Sequence, residues 1–198
     1  MFLIKTMFSA MLALITIFAS EMYAFEPIQM SLISACAVGI PTFLLAQENN
    51  FNRIDNTFLR HVFLNAFPSA LTITGCVSII MIVSRNAYHS AHMLGTACFL
   101  VTGWNYMAAL KMVYAPLSKY RKIVIYSMQL IFFTAAVVAQ KLLGLTGLEF
   151  GMIILVFVLM TFSPLLTEEV TDYVRKLYYR SIDGKDTWIH RLYRRVSK

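Results

Sequence analysis

A proline and a glycine interrupt an apolar stretch that is long enough to cross a bilayer. The stretch, residues 27–46 and called the Pro41 segment below, carries Gly39 and Pro41 near its middle, and a crossing needs about 20 apolar residues. Pro41 has no N–H, so in an α-helix the carbonyl of Ala37 loses its hydrogen-bond partner. In hydrocarbon a freed carbonyl must bind protein, water or an ion. The residues therefore predict either a helix broken for cation binding or a proline kink absorbed by neighbouring helices.

Hydroxyl side chains accompany this predicted break. One helical face carries residues at spacings of three or four positions: Ser31, Ser34, Val38 and Thr42. Hydroxyl and carbonyl oxygens are hard ligands, suited to Ca²⁺, Mg²⁺ or alkali ions rather than to soft metals. We therefore predict a cation pathway built from Ser34, Ala37, Val38, Pro41 and Thr42, with Asn105 from a later segment. Gly39 would lower the resistance of the helix to local unwinding.

Two later segments carry stripes of small and polar residues. The first stripe is Asn65, Ser69, Thr72 and Cys76, and the second is Cys98, Thr102, Asn105 and Ala109. Stripes of this kind usually mediate contacts between membrane helices, and a packing role is predicted for both. Asn105 and Gln129 are additionally predicted as secondary cation ligands.

Composition independently indicates a membrane protein. Hydrophobic residues make up 59% of the 198 residues and charged residues 14%, against roughly 45–50% and 25% in soluble domains. The net charge of +7 does not indicate a nucleic-acid partner, because the basic residues lie beside hydrophobic segments. Cys36, Cys76 and Cys98 lie inside apolar segments and are predicted to be buried thiols.

The hydropathy pattern predicts an all-α fold, a polytopic transmembrane bundle of six helices. The helices are expected at about 2–20, 27–46, 61–83, 93–113, 123–143 and 148–166, forming one transmembrane domain over residues 1–166. Residues 167–198 are predicted to form a basic, amphipathic cytoplasmic tail. A helix is expected to start there at Thr167, and Asp183-Gly184 is expected to break it.

The basic residues predict the orientation of the bundle. With the N-terminus inside, fifteen of the 17 Lys and Arg residues fall on the cytoplasmic side, and only Arg85 and Lys141 fall outside. Cytoplasmic flanks of membrane helices carry an excess of such residues. Both termini are therefore predicted to be cytoplasmic.

Short runs in and around the Pro41 segment resemble the membrane helices of P-type cation-transporting ATPases. Pro27-Ile28-Gln29-Met30, followed by Gly39-Ile40-Pro41 and then Gln47-Glu48-Asn49, is similar to their sixth membrane helix. The pattern looks most like a bacterial branch of the calcium-type pumps. Phe2-Leu3-Ile4-Lys5-Thr6-Met7-Phe8-Ser9 resembles the fifth helix of that branch. The resemblance implies the C-terminal membrane domain of such a pump, helices five to ten.

The resemblance puts the ion path at the Pro41 segment, with a changed ligand set. The Asn, the Thr and the ion-binding Asp of the better-known calcium pumps fall at Ser34, Ala37 and Val38. Because no carboxylate remains there within the membrane, the resemblance implies a different ion or a different number of ions. It also places Lys5 inside the membrane near the ion path, whereas Lys5 could equally snorkel to the interface. Gln29 belongs to the matched run.

These features lead to one leading function and two rivals. The leading hypothesis is the membrane half of a P-type cation pump, present as a fragment or split subunit, in a bacterial plasma membrane. Its transported species would be a cation such as Ca²⁺ or Mg²⁺, and its partner the catalytic N-terminal part of the pump. The Asp-Lys-Thr-Gly-Thr phosphorylation motif is absent, so the chain alone is not expected to be an enzyme or to hold a cofactor, and ATP with Mg²⁺ would be used in the catalytic part. The rivals are a stand-alone scaffold or accessory subunit and a small secondary transporter.

Overall fold

Seven α-helices and one π-helical segment make up the described part of the chain. The computed structural model describes residues 1–19, 24–48, 58–87, 91–115 and 117–196, with the backbone alone at residues 19, 58–61, 87, 91–92, 178–179 and from 181 onward. Its elements are α1 (Phe2–Ala19), α2 (Pro27–Ile33), the π segment (Ser34–Gly39), α3 (Ile40–Ala46), α4 (Phe58–Ala87), α5 (Ala91–Val113), α6 (Lys119–Val138) and α7 (Phe150–Val196). These ranges contain no strand, which confirms the all-α prediction.

Five stretches of helix within the described ranges are long and apolar enough to cross a membrane. They are Pro27–Ala46, Val62–Asn86, Met93–Val113, Lys119–Val138 and Phe150–Leu177. The first of these is the Pro41 segment, made of α2, the π segment and α3. The stretch Phe2–Phe18 on α1 is a shorter apolar helix. Five of the six predicted crossings are thus present as candidate spans, and a crossing by α1 stays a prediction.

The helices α4, α5 and α7 pack against one another at the centre of the bundle. α1 packs on α4, and the Pro41 segment packs on α5 and α6. Aromatic rings fill the core: Phe8 on α1 meets Tyr106 on α5 edge to face, with 6.0 Å between ring centroids. A Cβ at Gly103 would lie only 2.1 Å from Cζ of the buried Phe132. The absence of a side chain at Gly103 therefore permits the close approach of α5 and α6.

All members of the two predicted polar stripes except Asn65 are buried in the bundle. Ser69, Thr72 and Cys76 of α4 are buried, and so are all four members of the stripe on α5. Asn65 is half-buried, and its Oδ1 accepts from Arg175 Nη2 at 2.7 Å. The hydroxyls of Ser69 and Thr72 donate to backbone carbonyls one turn earlier, at 3.0 Å each. The hydroxyls of Ser69 and Thr72 are thus satisfied within α4. The small residues of the stripe are left to pack against neighbouring helices, as predicted.

The helix α7 departs from the prediction because it runs without interruption from Phe150 to Val196. The start predicted at Thr167 is wrong: Thr167 lies inside the helix, where its Oγ1 donates to the carbonyl of Ser163 at 2.9 Å. The break predicted at Asp183-Gly184 is also wrong, since a glycine inside a helix costs only about 1 kcal/mol. The candidate span on α7 is Phe150–Leu177; because residues 167–177 carry five charged side chains, the end of the membrane crossing at Leu166 stays a prediction.

The helix α6 begins and ends earlier than predicted from residues 123–143. Ser118 starts it as the N-cap, its Oγ accepting from the N–H of Arg121 at 3.2 Å. After Val138 the chain turns instead of continuing to Leu143, and Gly144 has a left-handed φ of 61°. The apolar Leu142-Leu143 pair extended the hydropathy pattern past the true end of the helix.

Pro164 lies inside α7 without ending it. A proline cannot donate to the carbonyl four residues earlier, which here belongs to Met160. Trp104 on α5 donates its Nε1–H to that carbonyl at 2.7 Å. An interhelical hydrogen bond thus replaces the one that Pro164 removes, and it fixes the register between α5 and α7.

Candidate cation pathway

A π segment, Ser34–Gly39, lies where Gly39 and Pro41 predict either a broken helix or a proline kink. The N–H of Ile40 bonds the carbonyl of Ala35, five residues back. A donor at position 41 would reach the carbonyl of Cys36 in the same five-residue register and the carbonyl of Ala37 in the α-helical register. The loss of the Ala37 hydrogen bond therefore stays a prediction. Single π turns inside α-helices are frequent at functional sites.

Both predicted hydroxyls at the break hydrogen-bond to backbone carbonyls of their own segment. Ser34 Oγ donates to the carbonyl of Met30 at 2.6 Å. Thr42 Oγ1 donates to the carbonyls of Val38 and Gly39, the latter at 3.0 Å. A hydroxyl that donates in this way keeps its oxygen lone pairs as acceptors. The two side chains can therefore support the irregular backbone and still offer oxygen to a cation.

The predicted hydroxyl face is divided between different environments. Ser31 is exposed, Ser34 and Thr42 are half-buried, and Val38 is buried. Ala37 and Pro41 are buried like Val38, whereas Gly39 is exposed. A π segment changes the angle between the residues before and after it, so a single face shared by all four residues stays a prediction.

Asn105 lies at about the depth of the break. Gly95 on α5 faces Gln29 on the Pro41 segment, with 3.7 Å from a Cβ built at Gly95 to Gln29 Nε2. The two helices run in the same direction, so ten residues further along each, Asn105 lies level with Gly39. Asn105 is buried, and its Nδ2 donates to the carbonyl of Val101 at 2.9 Å. The structure thus places Asn105 at the same level as the predicted pathway, on a helix that packs against the π segment.

Gln129 and Lys5 are the remaining candidates for the ion path. Gln129, on α6, lines a crevice between α5, α6 and α7 together with Trp104. Lys5 is half-buried on α1, whose main contact is with α4. A part for either residue in the ion path stays a prediction.

The two ends of the Pro41 segment are held by opposite ends of α6. At its start, the buried Gln29 donates from Nε2 to the carbonyl of Leu143, in the turn after α6, at 2.9 Å. The Gln29 Oε1 accepts from the N–H of Glu26 at 3.3 Å as part of a capping box. Gln29 belongs to the run that resembles the sixth pump helix. In the structure its hydrogen bonds anchor the start of the Pro41 segment.

Glu48 anchors the other end of the segment. Its Oε2 lies 2.5 Å from Nε of Arg121, and its Oε1 accepts from Ser118 Oγ at 3.2 Å. Tyr120 adds a hydrogen bond from its hydroxyl to the carbonyl of Leu44, at 3.2 Å. Sequence reasoning missed this anchor, although Glu48 stands in the run that resembles the exit of the sixth pump helix.

The side chains that usually bind soft metals do not gather in the described part of the chain. No group of three or more His, Cys, Asp or Glu residues is close enough there to hold a metal ion. Cys36, Cys76 and Cys98 are buried and form no disulfide, as the sequence predicted.

The five apolar spans define the class of the protein: it is a multi-pass integral membrane protein. Two curated proteins are similar to parts of it. Over 110 residues, 52% of this chain, it is 31% identical to the "Probable cation-transporting ATPase exp7" of Streptococcus pneumoniae. Over 83 residues, 37% of this chain, it is 31% identical to the "Calcium-transporting ATPase CtpE" of Mycolicibacterium smegmatis.

These similarities cover only a small share of the two relatives. The matched stretches amount to 14% of the first protein and 10% of the second. No protein-family model matches the chain, and no solved structure matches it significantly.

Proposed function

We propose that this chain is the membrane half of a P-type cation pump and that it supplies part of the ion pathway at the π segment. The observation that carries the proposal is the π segment Ser34–Gly39 in the middle of an apolar span. It falls in the run that resembles the sixth pump helix, in a chain similar to two proteins named as cation-transporting ATPases. That combination favours a pump over a stand-alone scaffold or accessory subunit.

The chemistry of the break suits a hard cation. Backbone carbonyls next to Pro41, with the oxygens of Ser34 and Thr42, are ligands of the kind that Ca²⁺, Mg²⁺ and alkali ions prefer. Asn105 can add an amide oxygen from α5. The Pro41 segment carries no acidic side chain between Glu26 and Glu48, so the site would have little negative charge. We therefore expect weak binding by this chain alone, because affinity for Ca²⁺ rises with ligand charge.

The proposal assigns ATP chemistry to a separate catalytic part of the pump. Phosphorylation of an aspartate there would drive alternate access at the membrane helices, as in the family that the chain resembles. Under the predicted orientation, Glu48 and the start of α6 lie at the cytoplasmic end of the Pro41 segment, where they can meet that part. This chain by itself is not expected to hydrolyse ATP.

The proline of the break provides the decisive test. Pro41→Ala restores an N–H and lets the segment close into a regular helix, so we expect loss of cation uptake with folding unchanged or improved. Helix propensity alone would make the change stabilising by up to about 3 kcal/mol. The loss of packing contacts that fit the π segment would reduce that gain. Uptake of Ca²⁺ and of Mg²⁺ would be measured in membrane vesicles holding the chain together with its catalytic part.

Pro68→Ala is the matched control for this test. Pro68 is also an intramembrane proline, but it lies inside α4 and away from the break. We expect the Pro68 variant to keep uptake. Normal uptake by both Pro41→Ala and Gly39→Ala would show that the π segment is structural and would reject the proposal.

A further inference from the structure

A crevice with two opposite charges opens between α5, α6 and α7. It has a volume of about 160 Å³ and is lined by Trp104, Ala108, Lys111, Met112, Gln129, Pro164 and Glu168. Most of this lining is apolar, while the polar atoms come from one basic residue, one acidic residue and one amide. The crevice is distinct from the π segment and its anchors, and nothing in the proposed ion pathway uses it.

The register between α5 and α7 places the two charges at one depth. The N–H of Thr146, just before α7, donates to Thr96 Oγ1 on α5 at 3.0 Å, and the Trp104–Met160 bond joins the same two parts of the chain further along each. The two helices therefore run in the same direction. Counted along both helices from the Trp104–Met160 bond, Glu168 lies level with Met112, next to Lys111, and Lys111 and Glu168 both line the crevice. Both charges lie close to Val113, where the span on α5 ends.

The two charged groups have different surroundings. Lys111 Nζ lies 4.7 Å from the centroid of the Tyr126 ring, and such a cation–π contact holds an ammonium in place. Glu168 is exposed and has no hydrogen-bond or ion-pair partner among the described side chains. An acid without a partner, level with a positioned ammonium, offers complementary sites for a ligand that carries both charges.

We propose that this crevice binds the headgroup of an aminophospholipid, phosphatidylethanolamine. The lipid phosphate would contact the Lys111 ammonium, and the primary ammonium of ethanolamine would donate to the Glu168 carboxylate. Below them, Ala108, Met112 and Pro164 provide an apolar wall for the start of an acyl chain. Trp104 lies roughly 10 Å deeper than Lys111, at 1.5 Å per residue along α5, and closes the crevice toward the membrane centre.

The charges disfavour the two other common headgroups. An anionic headgroup such as phosphatidylglycerol would meet Lys111 favourably but would be repelled by Glu168. A choline headgroup carries a quaternary ammonium, which cannot donate a hydrogen bond to a carboxylate. A choline would need an open aromatic face instead, and Tyr126 is already occupied by Lys111.

The test measures which lipids stay bound to the full chain. The protein is placed in nanodiscs of equimolar phosphatidylethanolamine, phosphatidylcholine and phosphatidylglycerol, and retained lipids are counted by native mass spectrometry. We expect the wild type to be enriched in phosphatidylethanolamine. Glu168→Gln should lower the ratio of ethanolamine to glycerol lipid about fivefold, and Lys111→Gln should lower retention of both about fivefold, as expected for one charge contact near a membrane surface.

Neighbouring residues outside the crevice provide matched controls. Glu169→Gln and Lys119→Gln remove the same charges nearby and should leave the retained lipids unchanged. The double variant Lys111→Glu with Glu168→Lys keeps both charges and should restore the preference for phosphatidylethanolamine. A wild type that retains lipids in bulk proportion or prefers phosphatidylglycerol, or control variants that change retention as much as the crevice variants, would overturn the proposal.

Discussion

The Met160 carbonyl shows how one side chain compensates for a proline in another helix. Pro164 removes the intrahelical donor, and Trp104 supplies a donor from α5 at 2.7 Å. An unsatisfied carbonyl is expensive where no water is present, so the proline and the indole are expected to depend on each other. The sequence shows that Pro164 must free a carbonyl, but not which of the polar side chains on other helices reaches it.

Trp104→Phe tests this dependence. The variant keeps an aromatic ring but loses the N–H, and we expect it to lower stability by about 1 kcal/mol, the usual scale of a hydrogen bond between membrane helices. In a Pro164→Ala background the Met160 carbonyl regains its own helical donor, so Trp104→Phe should cost clearly less. Thermal unfolding of the four proteins in one detergent would measure the coupling. Equal losses in both backgrounds would show that the indole N–H does not serve that carbonyl.

Gly103 and Gly75 offer a matched pair of glycines inside helices. A Cβ at Gly103 would lie 2.1 Å from the ring of Phe132, whereas no atom lies within 4 Å of a Cβ at Gly75. We expect Gly103→Ala to lower stability by roughly 1–3 kcal/mol through overpacking. Gly75→Ala should be neutral or stabilising by up to about 1 kcal/mol. The same unfolding assay compares them, and equal effects would contradict the close packing of α5 on α6.

At the scale of elements, the anchors of the Pro41 segment lead to a prediction about α6. Glu48 and Arg121 are partly exposed, so their pairing is worth about 1 kcal/mol at most as a surface ion pair. We expect Glu48→Gln and Arg121→Gln each to lower stability by about that much, and the double variant to lose little more than either. Added salt should reduce the effect.

Glu169→Gln is the control for the Glu48 variant. Glu169 is exposed inside α7 and forms no ion pair among the described residues, and its replacement should leave the unfolding temperature unchanged. Additive losses from the Glu48 and Arg121 variants would show that the two residues act independently and that the anchor is not a pair.

Hydropathy predicted the existence of the helices far better than their ends. The span on α5 matches the predicted 93–113 because Lys111 and Pro116 mark its end clearly. The end of α6 was set by Gly144 and the turn before it, which lie within an apolar run. On α7, the sequence predicts a helix start at Thr167 and a break at Gly184, but the helix continues through both residues. Pro41 predicted an irregular helix at this position, but neither the π form nor its range Ser34–Gly39 could be read from the sequence.

At the scale of the molecule, the distribution of basic residues predicts the topology. Single cysteines introduced at Asn86 and at Gly147 should react with an impermeant thiol reagent added to intact cells, and one introduced at Ser181 should not. The wild-type chain is its own control, because all three native cysteines are buried. Labelling at Ser181 from outside would contradict the arrangement with both termini in the cytoplasm.

The anchored Pro41 segment has a consequence best described in the language of crystal defects. With Gln29 holding one end and Glu48 the other, the extra residue of the π segment resembles a dislocation between two fixed points: it cannot be removed from the span without releasing an anchor. A shift of this extra residue by one position would exchange one backbone hydrogen bond. An ion site built on the segment, as proposed above, would then open or close one carbonyl at a time while both ends of the helix stay in place.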